Sequence, residues 1–350
     1  MTLCVKVCPR LCKPRYLLLF LFIKDTVFLA TSSQLPLFFS ATFKFMSIEL
    51  PDGLIFLERG WLSSNAIFLD DGEHTALIDS GYFVHSNLLM HFLELQLKGR
   101  ALDVLVNTHL HSDHVGGNAA LQGIFSRMQT WIPHGLFREV ACWDKSALSF
   151  DMTGQTCPRF NANKALFPGD SFVLAGFEWE VHASPGHDHD ALLFFNPEFR
   201  LLVSADTLWI NGFGVVFPEI CGGTGFQEVS ETLNLIENLN PLLVLPGHGP
   251  VIHDVAKSLD AARHKIDRFA NDPSLHASHA AKVLLKFKLL ELQTCSLDVF
   301  KQWALSTPLL IDIHRHFFFS TPLISWVDGL IHELVAKKVA MMDDSIILNC

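Results

Sequence analysis

Beyond residue 45, short apolar runs alternate with longer stretches of helical period. Runs at 65–69, 75–78 and 102–107 read as strands, with helical spacing over 84–97 and a helix opening at Gly116-Gly117. Further strand-like runs follow at 172–174, 178–183, 192–195, 201–204 and 242–245, with a helix near 227–239. Strands alternating with helices predict an α/β fold. From about residue 255 the pattern turns helical, over 257–271, 277–292, 297–304 and 324–337, and ends in a hairpin over 339–348 around Asp343-Asp344. This divides the chain into a leader, 1–45, an α/β part, 46–255, and a small mainly helical part, 256–350.

With 350 residues and 49% apolar content the chain can bury a large core, and it is long for one compact domain. The leader fits no element of this pattern. Cys4, Cys8 and Cys12 fall at a four-residue step without a nearby histidine, a weak metal motif. The apolar run 16–23 is too short to span a bilayer. A basic start before such a run resembles a signal peptide but lacks a clean cleavage site, and Met46 directly precedes the α/β part. A mis-set start or disordered leader is therefore favoured over a targeting segment. The other five cysteines have no framework spacing, which suits a reducing, cytoplasmic compartment.

The densest chemistry is His109-Leu110-His111-Ser112-Asp113-His114, directly after the strand-like run 102–106. Imidazole and carboxylate suit zinc and similar divalent ions, and His-x-His on an extended or turning backbone aims two side chains the same way. A polar loop capping the next helix accounts for Asp113 but for none of the three histidines. Three later runs end the same way, in an apolar strand, a break and a candidate ligand. They are Pro185-Gly186-His187, then Asp206 after 201–205, then Pro246-Gly247-His248. Alone, each Pro-Gly marks only a turn; together they point to one metal site. His189 is the alternative to His187, which the shared Pro-Gly-His frame favours. His182 and His253 read as surface or packed histidines. Asp79 reads either as a strand-end turn residue or as an outer partner of a ligand histidine.

This set resembles the metallo-β-lactamase-fold superfamily, and within it the glyoxalase II-like hydrolases, over residues 48–255. The resemblance implies an αββα sandwich of two mixed sheets with metals at the rim where loops converge. It assigns His109, His111 and His187 to one metal, and Asp113, His114 and His248 to the other, with Asp206 bridging. Two divalent ions are implied, zinc first, with iron or manganese as alternatives. Such a pair lowers the pKa of a shared water towards roughly 7 and polarises the substrate oxygen. A bridging hydroxide would then attack the carbonyl, with Asp113 and Asp206 as catalytic residues and Asp113 orienting the water. The helical tail resembles the winged-helix tail of some members, or a plain helical cap.

Departures from relatives narrow the substrate. In glyoxalase II a Glu-Tyr used around glutathione follows the histidine matching His248; here Gly249-Pro250-Val251 follows it, which puts glutathione thioesters in doubt. Neither Tyr16 nor Tyr82 stands where acyl-homoserine lactonases place their assisting tyrosine. The bridging Asp206, where true metallo-β-lactamases carry Cys or Ser, argues against a penicillin-type substrate. Residues 207–218 are well placed to wall an apolar pocket, with Trp143, Phe150, Met152 and Phe160 as a second wall; ordinary core or a homodimer contact is the competing reading. Net charge is +5 over 1–45, −16 over 46–256 and +1 over 257–350, so the metal-binding part would repel a polyanion. The expectation is a hydrolase acting on a small ester, thioester or lactone with an apolar portion, rather than on nucleic acid. A phosphodiesterase or nuclease on the same site, and an iron-dependent persulfide dioxygenase-like enzyme, are its rivals.

Overall fold

A computed structural model describes residues 21–23, 26–28 and 49–350. Leu21–Ile23 pairs antiparallel with Thr26–Phe28. The cysteine step at 4–12 and the rest of the leader lie outside the described residues. The described residues 49–350 belong to one compact unit.

The first sheet has six strands in sequential order, β1 Leu54–Leu57, β2 Ala66–Asp70, β3 Thr75–Ile78, β4 Val104–Val106, β5 Gln129–Pro133 and β6 Lys164–Leu166. The β1–β2 and β2–β3 pairings are antiparallel and the remaining three parallel. The second sheet runs in the order β11-β10-β9-β8-β7, from β7 Ser171–Leu174, β8 Phe177–Ala183, β9 Leu192–Asn196 and β10 Leu201–Ala205 to β11 Leu243–Pro246. Only its β10–β11 pair is parallel. Both sheets are thus mixed, as expected.

Burial on both faces explains why the central strands are apolar throughout rather than alternating. On β3, Ala76 and Ile78 face the opposite sheet while Leu77 meets the outer helices. On β10, Leu201 and Val203 point inward and Leu202 outward. Helix α1, Ser86–Leu97, covers the first sheet with Leu89, Leu93 and Leu97, four residues apart. Two short helices follow β4, α2 Ser112–Val115 and α3 Asn118–Ile124. Helices α4 Gly225–Leu239 and α5 Val255–Asn271 cover the second sheet through Val229, Leu233, Ile236, Leu259 and Ile266. The order helix, sheet, sheet, helix is the expected one.

Asp272 caps the next helix, α6 Pro273–Leu292, accepting a hydrogen bond from the Leu275 amide at 3.2 Å. Helices α7 Leu297–Ser306, α8 Pro308–Phe317 and α9 Leu323–Ala336 follow. The hairpin expected near 339–348 is present as β13 Ala340–Met342 and β14 Ile346–Asn349. A third strand, β12 Thr294–Ser296, pairs with β14. The core of this region includes Val215 and Ile220 from the α/β part, so its helices pack directly on the segment that follows Asp206. Among the described residues, no helix is long and apolar enough to cross a membrane.

Candidate metal centre

Strands β8, β10 and β11 run parallel to one another and end at Ala183, Ala205 and Pro246; β4 of the other sheet ends at Val106. His187, Asp206, His248 and the 109–114 run each lie one to eight residues past one of these ends, so the loops that carry them converge on one rim. All seven expected residues meet there. His109, His111 and His187 form one group and Asp113, His114, Asp206 and His248 another, with one candidate ligand atom per residue within 4.8 Å of the others in its group.

In the first group, His111 Nδ1 lies 3.1 Å from His109 Nε2 and 2.8 Å from His187 Nε2. His187 Nδ1–H donates to the Val215 carbonyl at 2.6 Å, which fixes the tautomer and leaves Nε2 as an acceptor facing His111. Burial, reinforced by the charge of the neighbouring imidazoles, holds His109 well below the usual histidine range, lowers His111, and brings His187 to about 4. These three rings are neutral at pH 7, with lone pairs gathered on one point.

In the second group, His114 Nδ1–H donates to Asp79 Oδ2 at 2.7 Å, turning Nε2 inward. Asp79 is held in turn by the Thr108 amide at 2.9 Å and hydroxyl at 2.8 Å. Both readings of Asp79 hold: it turns the chain at the end of β3 with φ 59°, and its contacts with His114 and Thr108 are those of an outer partner. His248 Nε2 lies 3.1 Å from Asp113 Oδ2. Asp206 stands between the groups, with Oδ1 3.3 Å from His114 Nε2 and Oδ2 3.4 Å from His187 Nε2. Burial opposes ionisation of Asp206 and Asp113. The positive potential of His248 and His114 prevails, and holds Asp206 well below and Asp113 below the usual carboxylate range.

The donor set fits a pair of divalent cations. His114 Nε2 and Asp206 Oδ1 face each other at 3.3 Å, both buried and without a hydrogen-bond partner, an arrangement that a shared cation would satisfy. Burial disfavours a charged His114, yet Asp79 and Asp206 hold its pKa well above the ordinary value, and the field that retains a proton there is the field that attracts a cation. Two glycines make room for the ligands. A Cβ on Gly247 would lie 2.2 Å from Asp206 Oδ1, and one on Gly214 2.5 Å from His187 Nδ1.

An apolar cavity of about 570 Å³ opens from His111, Asp113, His187, Asp206 and His248. The expected wall after Asp206 is there, through Trp209, Ile210, Val215 and Phe217. The second expected wall is not. Trp143, Phe150 and Phe160 are spent on a separate core with Leu110 and Ile132, and Thr153 and Gln155 reach the cavity instead. Sequence reasoning missed Trp61, stacked on His248 at 5.4 Å and 8°, and the contribution of α5 and α6, Lys265, His279, Val283, Leu284 and Phe287. His189 and His253 are exposed, and His182 faces Glu180 at 3.4 Å. Tyr82 is buried and donates to Glu291 at 2.9 Å.

Comparison with known proteins agrees with this geometry. Residues 59–248 match the family model described as the metallo-beta-lactamase superfamily. The chain is 27% identical over 153 residues to a hydroxyacylglutathione hydrolase of Brucella anthropi, covering 44% of this chain and 47% of that one. It is also 27% identical over 206 residues to an atrochrysone carboxyl ACP thioesterase of Aspergillus fumigatus, covering 59% and 56%. The matches thus span about half the length of these curated relatives. A crystal structure of a beta-lactamase domain protein from Burkholderia ambifaria superimposes with a TM-score of 0.52 at 18% identity, over 86% of this chain and 94% of that one, a likeness of fold. The chain belongs to the metallo-beta-lactamase superfamily, a family that implies a dinuclear divalent site built from His and Asp.

Proposed function

We propose that the protein hydrolyses an ester, thioester or lactone with an apolar acyl portion, using two zinc ions held by His109, His111 and His187 and by Asp113, His114 and His248, with Asp206 between them. The observation that carries this reading is the convergence of seven donor side chains at one end of a largely apolar cavity. When bound, the cation pair supplies hydroxide near neutral pH and polarises the scissile carbonyl. The chain's own residues do the rest. Asp79 and the Val215 carbonyl fix the tautomers of His114 and His187, so their Nε2 atoms face the site. Asp113, held by His248, orients the attacking water through its carboxylate. Trp209, Ile210 and Phe217 exclude bulk water and bind the acyl portion.

Two named relatives are thioester hydrolases, which supports a thioester among the substrates. Gly249 and Pro250 line the cavity next to His248 and stand where the glyoxalase II sequence carries the Glu-Tyr used around glutathione, which favours a thiol portion other than glutathione. Five unpaired cysteines among the described residues favour a reducing, cytoplasmic setting. The test is turnover of a panel of acyl esters, thioesters, lactones and bis-para-nitrophenyl phosphate, with metal analysis of the same sample. Carbonyl substrates should dominate and zinc should be present at two per chain. Phosphodiester turnover alone, or iron with sulfur oxygenation, would replace the reading with one of its rivals. His111→Ala should lower turnover by at least about a thousandfold while the circular dichroism spectrum is kept.

A further inference from the structure

The cavity also meets a cation that hydrolysis as such does not require. Lys265 projects from the middle of α5, and its stem runs over Gly212, where a Cβ would lie 2.6 Å from Lys265 Cδ. Its Nζ donates to the Phe213 carbonyl at 2.7 Å and lies 4.7 Å from the Phe213 ring, 5.7 Å from Phe269 and 5.9 Å from Trp209. Among the described residues no carboxylate lies within ion-pair distance of it. An ammonium has three donors, so at least one remains for a ligand. The aromatic collar stabilises the cation in part but brings no countercharge. Neighbouring His276 and His279 are held neutral at pH 7, at about 4 and about 3, by burial and by the lysine's own charge.

Lys265 lines the same cavity as the metal-centre residues. The Trp209 ring ties the two ends together, 5.9 Å from Lys265 Nζ and 5.3 Å from the centre of the His248 ring. A small molecule with its carbonyl at the cluster therefore reaches the ammonium within its own length. A largely desolvated cation without a countercharge is costly, and an anion brought by a ligand relieves that cost. A single ammonium matches a single charge, in contrast to the row of cations a polynucleotide requires.

We infer that Lys265 is a specificity-determining residue that binds one anionic group, a carboxylate or phosphate, on the part of the substrate remote from the scissile carbonyl. The inference rests on the proposed hydrolase reading and narrows its substrate class to acyl compounds with an acidic tail. The alternative role for Lys265 is a strut that holds the 207–217 segment through the Phe213 carbonyl, and the test separates the two.

The zinc-loaded enzyme is assayed with mono-para-nitrophenyl esters of succinate, adipate and suberate, each against the ester of the unsubstituted acid of equal length. The wild-type enzyme should prefer the acidic ester at one length by about tenfold or more in kcat/KM, mainly through KM. Lys265→Met should bring that ratio close to one, and Lys265→Arg should restore much of it. A matching ω-phosphonate ester names which anion is preferred. No preference at any length, or an equal loss on both esters in Lys265→Met, would overturn the inference; the second result identifies a strut. If no ester is turned over, the hydrolase reading fails by itself, and calorimetric binding of free adipate against hexanoate still decides the anion site. Adipate should then bind about tenfold more tightly to the wild-type protein and no more tightly than hexanoate to Lys265→Met; equal binding to the wild-type protein would overturn it.

Discussion

Asp206 is useful only if nothing crowds it. Gly247 approaches its Oδ1 so closely that any side chain would displace the carboxylate, and Gly247 is itself fixed by donating its amide to the Ala205 carbonyl at 2.6 Å. Gly247→Ala should therefore weaken metal binding by about ten- to a hundredfold, read as metal retained after dialysis against a graded chelator. Wild-type retention would show that the carboxylate has room to move. Asp79→Asn keeps the size but removes the charge that sets His114, and it confronts the Thr108 donors with an amide. A similar loss is expected, reported by competition with a chromogenic chelator, while the melting temperature of the chelator-treated protein changes far less than its metal affinity. At this scale the ligands were legible because three of the four segments keep a strand, a break and a donor in a fixed order. Trp61 and Lys265 were not, because a tryptophan after a glycine and a lysine on an amphipathic helix read the same whether or not a cavity lies beside them.

The strands that deliver the ligands were read within one or two residues of their observed limits, since Val104–Val106, Leu201–Ala205 and Leu243–Pro246 lie in largely apolar runs and Phe177–Ala183 alternates buried apolar with polar positions. Other elements left weaker marks. Leu54–Leu57, Gln129–Pro133 and Lys164–Leu166 are three to five residues long, and the last two carry polar residues that break the apolar run. Helix α8 carried a readable start at Thr307-Pro308 and an apolar stripe at Leu309, Leu310 and Ile313, but the His314-Arg315-His316 end obscured it. Helix α6 illustrates what an element adds beyond its period. It carries His276, which accepts a hydrogen bond from the Val216 amide at 3.3 Å, and His279. Both are neutral when folded, His276 down to about 4 and His279 to about 3, because burial and Lys265 oppose the charged form. The unfolded chain binds their protons near pH 6.5, so it gains protons that the folded state refuses as pH falls. Stability should be fully present above pH 6.5 and be lost progressively between pH 6.5 and about 3 to 4. His279→Gln removes one of these protons and should flatten the fall of melting temperature over that window; an unchanged slope would mean that His279 is charged in the folded protein.

At the scale of the whole molecule, two fields act on a substrate with opposite sign. The chain carries 36 acidic against 26 basic residues, a formal net charge of −10, and two divalent ions leave it negative. That field acts at long range and opposes the approach of an anion. The attraction of Lys265 acts at contact, inside an apolar cavity closed by α5 and α6. Composition made the first field legible, whereas the second depends on helices that begin more than forty residues after Trp209 coming to rest beside it, which no local pattern specifies. Salt separates the two, because the screening length falls from about 30 Å at 0.01 M to about 8 Å at 0.15 M, and buried pairs are screened far less than exposed ones. Raising ionic strength over this range should therefore increase kcat/KM for an acidic ester about twofold or more, since repulsion on approach weakens while the contact with Lys265 persists. For the matched neutral ester the same change should leave kcat/KM flat. A decrease for the acidic ester would mean that the mouth of the cavity is locally positive, and that approach, as well as binding, is governed by cations close to the site rather than by the net charge of the chain.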